Sequence, residues 1–146
     1  MGKIAYNWNK VDRGDIISFR YRTKEGRILR RTILVLEPKL KNKAKNPTSK
    51  YLLHGVQLGI SNMPVIPNIK SILETAGKVG IVDLDKNIFN VDLDSSTRGV
   101  YDKIKSLIKA HGIFRTYNYE KARKSQVFLE DLRLPENFVK ELIGEN

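Results

Sequence analysis

At 146 residues, with 40% hydrophobic and 29% charged side chains, the chain has the size and composition of one globular domain that buries a core without cross-links, which excludes wholesale disorder. It has no cysteine, hence neither disulfides nor thiolate metal sites, and no eighteen-residue apolar run or signal-peptide core, so the expectation is a cytoplasmic or virus-particle protein, neither secreted nor in a membrane. The formal charge is +11, and residues 1–60 hold eight Lys and six Arg against four acids while the remainder is nearly neutral, which places a polyanion-facing surface in the first two-fifths.

Residues 16–21 alternate, with Ile17, Phe19 and Tyr21 on one side and Ile16, Ser18 and Arg20 on the other, predicting a half-buried strand. TKEGR, 23–27, is a turn with Gly26 available for positive φ. Residues 27–36 form a second strand, central at Ile33–Leu36, and Pro38 ends it. KLKNKAKNPTS, 39–49, is a basic flexible loop, and KYLLHGVQLG, 50–59, a third strand bent or bulged at Gly55.

The pattern then changes. MPVIPNIKSILETAG, 63–77, predicts an extended entry followed by a short helix with Pro67 in its first turn, and GKVGIVDLD and NIFNVDLD predict short strands. SSTRGVYDKIKSLIKAHG, 95–112, is a helix capped by Ser95 or Ser96, with Val100, Ile104, Leu107 and Ile108 on one face. FRTYN is extended, YEKARK fits helix or loop, SQVFLEDLRL contains a strand, and PENFVKELIG is a closing helix. Together these predict an α+β, mainly β domain over 1–146: a twisted barrel of basic hairpins in 11–60, with two to three helices, the helix-containing half being 61–146.

The hairpin carries five arginines, Arg20, Arg22, Arg27, Arg30 and Arg31. With Glu25–Gly26 as a two-residue tip, Tyr21 pairs with Arg30, Arg20 with Arg31 and Phe19 with Thr32. A slip of one residue sets Phe19 against Arg31 and is expected to turn the apolar set to the wrong face. Like charges opposed across strands destabilise by a few tenths to about 1 kcal/mol. An anion lying between them offsets that, and guanidinium groups recognise phosphate in a planar, bidentate way. Lys39, Lys41, Lys43 and Lys45 add mobile charges suited to a phosphate backbone, and Tyr6, Trp8, Tyr21 and Tyr51 are candidates for stacking on bases. A second basic-aromatic run, IFRTYNYEKARK, contributes Arg115 and Tyr117.

Signals for chemistry are sparse. His54 lies within a strand and His111 at a helix end, neither at metal-site spacing. Asp83, Asp85, Asn87 and Asp94 match four places of a calcium loop, but Ile88 stands where such a loop needs glycine, so two short strand ends are the preferred account and no metal or cofactor is expected. Phosphate-loop, dinucleotide and nucleophile-elbow motifs are missing.

RGDIISFRYRTKEGRILRRTILVLEP, 13–38, resembles the opening of the MazF/PemK toxins, SH3-like barrels that cleave RNA; the resemblance implies Arg31 as a catalytic arginine, although Thr32 and Glu37 replace the proline and serine of that pattern. RTILVLEPKLKN, YLLHGVQLG and FRTYNYEKARKSQVFLEDL together resemble small proteins of large tailed bacteriophages, which implies a phage origin and a small SH3-like barrel. The favoured reading is a non-enzymatic protein gripping the backbone of DNA or RNA with the hairpin and the lysine loop. A phage virion component docking an acidic partner and an endoribonuclease are the alternatives.

Overall fold

A computed structural model of the chain describes residues 4–45, 47–60 and 113–134 continuously, together with 82–83, 88–89, 102–103, 105–106, 108–109, 139–140, 142 and 144. Eight strands are described: β1 (Ile4–Tyr6), β2 (Asp15–Arg22), β3 (Ile28–Lys41), β4 (Tyr51–Ile60), β5 (Val82–Asp83), β6 (Ile88–Phe89), β7 (Ile113–Asn118) and β8 (Val127–Arg133). A 3-10 turn covers Trp8–Lys10, and one α-helix, α1 (Tyr119–Ala122), is described from end to end. Six strands form one antiparallel sheet in the order β1-β8-β2-β3-β4-β7, and β5 pairs with β6 in a separate ribbon.

The sheet is open, which corrects the expected barrel: its outer strands, β1 and β7, are not paired with each other. It is nevertheless strongly curled. Phe19 on β2 and Tyr117 on β7 stand three strand spacings apart, about 14 Å on a flat sheet, yet their rings lie 5.4 Å apart, and the Asn118 amide donates to the Tyr21 hydroxyl across the same gap at 3.1 Å. Irregular register along β3 between Thr32 and Ile33, between Val35 and Glu37 and between Glu37 and Leu40 supplies the added twist.

The helix expectation is corrected too. In place of two to three decorating helices, the one complete helix among the described residues is α1, in the stretch whose sequence fits helix or loop. Asn118 caps it by accepting from the Lys121 amide at 2.9 Å. The short helix expected within 63–77 lies outside the described residues. Those at 95–112 and 135–144 are represented only by helical positions at 102–103, 105–106, 108–109, 139–140 and 142. No helix among the described residues is long and apolar enough to cross a membrane.

Pro38 does not end the second strand. β2 pairs β3 only from Ile28 to Leu34, and the pairing with β4 skips from Glu37 to Leu40, so neither neighbour asks Pro38 for an N–H.

The concave face holds the core: Trp8, Val11, Ile17, Phe19, Ile33, Val35, Leu53, Tyr117, Tyr119, Ala122 and Val127, with Tyr6, Tyr21, Tyr51 and Leu129 packed around it. Ile16, Ser18, Leu34 and Val56 are also buried, so the middle of the sheet is covered on both sides. Gly55 sits where β3 crosses closely: an added Cβ meets Ile33 Cδ1 at 2.7 Å and the Leu34 carbonyl oxygen at 3.0 Å. Because the second neighbour is backbone, it yields little, and Gly55→Ala is expected to lower stability by about 1–3 kcal/mol in urea unfolding. An unchanged midpoint contradicts that close approach.

Candidate functional site

The hairpin turn decides where the arginines go. The Thr23 amide donates to the Arg27 carbonyl at 2.7 Å, the Gly26 amide donates to the Thr23 carbonyl at 3.0 Å, and Gly26 has φ 86°. This is a three-residue loop of Lys24, Glu25 and Gly26 closed by a left-handed glycine, rather than a two-residue tip. The odd residue moves the register by one. Arg20 pairs with Arg30, Phe19 with Arg31 and Ile17 with Ile33.

The slip does not turn the apolar set outward. Ile17 and Phe19 stay in the concave core, and Arg31 joins them on that face, at the cluster's edge. There its Nε is buried without a hydrogen-bond partner among the described residues. The expected Arg20–Arg31 pair is therefore replaced by Arg20–Arg30, and Arg31 belongs to the opposite face of the sheet.

On the convex face, Arg20 and Arg30 stand directly opposite each other, and Arg22 lies two residues along with its Nη1 donating to the Gly26 carbonyl at 3.1 Å. Arg30 reaches across β2 and sets its guanidinium carbon 5.5 Å from the centre of the Phe128 ring, a cation–π distance. Phe128 is there because β8 pairs with β2, placing it opposite Ser18. A cleft of about 370 Å³ opens between them, lined by Phe19, Arg20, Arg30, Ser125, Gln126 and Phe128. None of the five hairpin arginines is ion-paired among the described residues, whereas Arg13 pairs with Glu37. Arg27 is exposed in the turn.

The other candidates are placed elsewhere. Lys39 follows Arg30 by nine residues along β3, and its Nζ lies 4.5 Å from the Tyr51 ring and 5.4 Å from that of Tyr119. Lys41, Lys43 and Lys45 are exposed beyond it. Their loop is tied at its base: the Asn42 amide donates to the Lys50 carbonyl at 2.9 Å, and Ser49 donates to Glu120. The Ser49 hydrogen bond holds the Glu120 carboxyl below its ordinary range. The lysines thus belong to the Tyr51–Tyr119 end of β3, and none of them lines the arginine cleft.

Arg115 is exposed on β7, while Tyr117 is buried against Phe19 and Tyr21, at 5.4 and 5.0 Å between ring centres. Tyr117 is a core residue and not a platform for bases, as is Trp8. Burial pushes the Tyr117 hydroxyl up, with Arg31 and then Arg115 pulling it back, and the hydroxyl has no hydrogen-bond partner among the described residues. Tyr117→Phe removes an unsatisfied buried group and is expected to leave stability unchanged or raise it by about 1 kcal/mol in thermal unfolding. A loss of that size instead means the hydroxyl has a partner.

Among the described residues no group of three His, Asp or Glu side chains is placed to hold a metal. Asp83 pairs with Ile88 in the β5–β6 ribbon, while Asp85, Asn87, Asp94 and His111 lie outside the described residues. His54 sits between Glu37 and Thr116 on neighbouring strands.

Sequence reasoning missed Phe128, Ser125 and Gln126. The signal was faint: in VFLEDL the phenylalanine is the outward member of an alternation, and only the long-range pairing of β8 with β2 shows that it falls beside the arginines. No protein-family model, characterised protein or solved structure matches the chain. The likenesses to bacteriophage proteins and to MazF/PemK toxins are thus without support, and the open sheet contradicts the SH3-like barrel that both imply.

Proposed function

We propose that the protein binds nucleic acid through its phosphates, with the Arg20–Arg30 pair on the convex face of the hairpin at the centre of the contact. The observation that carries this reading is the cross-strand pair itself: two guanidinium groups opposed on neighbouring strands, with no carboxylate ion-paired to either among the described residues and a cleft open beside them. Opposed like charges are a standing destabilisation of the free protein. A phosphate between them converts repulsion into two charge-assisted, bidentate contacts. The net charge of +11 draws a polyanion toward the chain before the contact forms. A contact made through phosphates carries no sequence information, so binding with little sequence preference is expected.

The test is fluorescence anisotropy of labelled DNA and RNA of random sequence over a series of salt concentrations. Binding is expected to weaken linearly on a log–log plot, each phosphate contact contributing about 0.7 to the slope for a single strand and about 0.9 for a duplex. Absence of binding at low salt, or binding indifferent to salt, contradicts the reading.

A further inference from the structure

The arginine cleft does not end at Ser125 and Gln126. A second cleft, of about 440 Å³, shares those two residues and continues between Tyr6, Asn7 and Asn9 on one side and Arg123 and Lys124 on the other. We infer that the two clefts form one track that takes a single strand of nucleic acid, one base stacking against Phe128 and the phosphates passing from Arg20 and Arg30 to Arg123 and Lys124. This rests on the phosphate-binding reading above and adds the strandedness of the ligand.

The floor of the track is held rigidly. The Ser125 carbonyl accepts from Trp8 Nε1 at 2.8 Å, and the Ser125 hydroxyl accepts from the Arg20 amide at 3.2 Å and donates to the Ala122 carbonyl at 3.2 Å. Gln126 Nε2 donates to the Tyr6 carbonyl at 3.0 Å and to that of Val127 at 2.9 Å. The far wall is fixed in the same way, with Asn7 Oδ1 accepting from the Asn9 amide at 2.9 Å and the Tyr6 hydroxyl donating to the Lys10 carbonyl at 3.0 Å. A binding surface ordered in advance loses little entropy when it is filled.

Strandedness follows from the aromatic wall. Phe128 is half-buried on the convex face, and its ring already engages a flat cation, the Arg30 guanidinium. A base lies over such a ring by the same geometry, which leaves Arg30 free to turn toward a phosphate. In a duplex the faces of the bases are occupied by their neighbours in the stack. Only an unpaired strand can turn one onto Phe128. The alternation of a stacking ring with cations along a groove is the arrangement that holds single strands without reading their sequence.

The experiment measures anisotropy of a labelled oligothymidylate and of a duplex of equal length with the full-length chain, alongside Phe128→Leu, Arg123→Gln/Lys124→Gln and Arg20→Gln/Arg30→Gln. Leucine keeps the apolar bulk and removes the ring, so the fold is retained. The single strand is expected to bind more tightly than the duplex, and Phe128→Leu to weaken the single strand by roughly 5- to 150-fold more than it weakens the duplex. Arg123→Gln/Lys124→Gln is expected to flatten the single-strand salt slope by about 1.4. Trp8, the sole tryptophan, borders the second cleft, so its emission is expected to change with the oligothymidylate and not with the duplex. Equal affinities for the two forms, or a Phe128→Leu protein with wild-type affinity for the single strand, overturn the track while loss of binding in Arg20→Gln/Arg30→Gln keeps the phosphate reading. If that arginine variant also binds as wild type, the phosphate reading falls with it. Polyglutamate displacing the oligothymidylate equally from wild type and Phe128→Leu overturns the track in favour of an acidic protein partner.

Discussion

Trp8→Ala will lower the free energy of unfolding by about 3–5 kcal/mol, a large share of the roughly 5–15 kcal/mol that holds a domain of ordinary stability. The indole sits at the junction of three parts of the chain. It meets Phe19 edge-on at 5.4 Å and Tyr119 at 6.1 Å, which ties the segment before β2 to the core strand and to α1. Its Nε1 donates to the Ser125 carbonyl in the turn that leads from α1 into β8. Alanine leaves a cavity beneath the curl of the sheet and an unsatisfied carbonyl at the floor of the track. Urea unfolding followed by circular dichroism measures the loss, and Trp8→Phe separates its parts: most of the packing is kept and the hydrogen bond, about 1 kcal/mol, is lost. A Trp8→Ala protein within about 1 kcal/mol of wild type would place the indole outside the core.

Arg20→Gln combined with Arg30→Gln has the largest expected effect on binding. Glutamine keeps a polar side chain in the cleft and removes both charges. A hydrogen bond to a charged group is worth about 1.5–3 kcal/mol, so each lost contact weakens binding by roughly ten- to a hundredfold, and the salt slope for a single strand flattens by about 1.4. Arg31→Gln serves as the comparison. It removes the same charge from the concave face and is expected to leave affinity near that of wild type. Should Arg31→Gln weaken binding as much as Arg20→Gln, net charge and not the paired geometry governs the interaction. This contrast is where the observed register matters, since a two-residue tip assigns Arg31 and not Arg30 to the site.

The alternation in Ile16–Tyr21, the apolar run Ile33–Leu36 and the stretch 51–59 were enough to locate β2, β3 and β4, because period and burial are local properties of sequence. Register was not local in the same way. Lys24-Glu25-Gly26 is compatible with a two- or a three-residue loop, and one residue's difference moved a guanidinium group from one face to the other. Phe19 can face Arg31 because a long arginine stem lies along an apolar edge. Pro38 passed through β3 because a gap in the pairing spared it, which no strand pattern reveals. Closure of the sheet depends on whether β1 meets β7, two strands from opposite ends of the chain, and the sequence holds no local sign of that. β1 itself, three residues paired to β8, is invisible for the same reason. The cleft combines both lessons: its arginines stand out in the sequence, while Phe128 joins them only through a pairing across more than a hundred residues.

The most direct measurement is thermal unfolding of wild type and Arg20→Gln with and without inorganic polyphosphate. If crowded guanidinium groups await an anion, the free variant melts higher than wild type by about 1–4 °C, the relief of one cross-strand repulsion, and polyphosphate stabilises wild type far more than the variant. A variant that melts lower when free, or that gains as much from polyphosphate as wild type, contradicts the account.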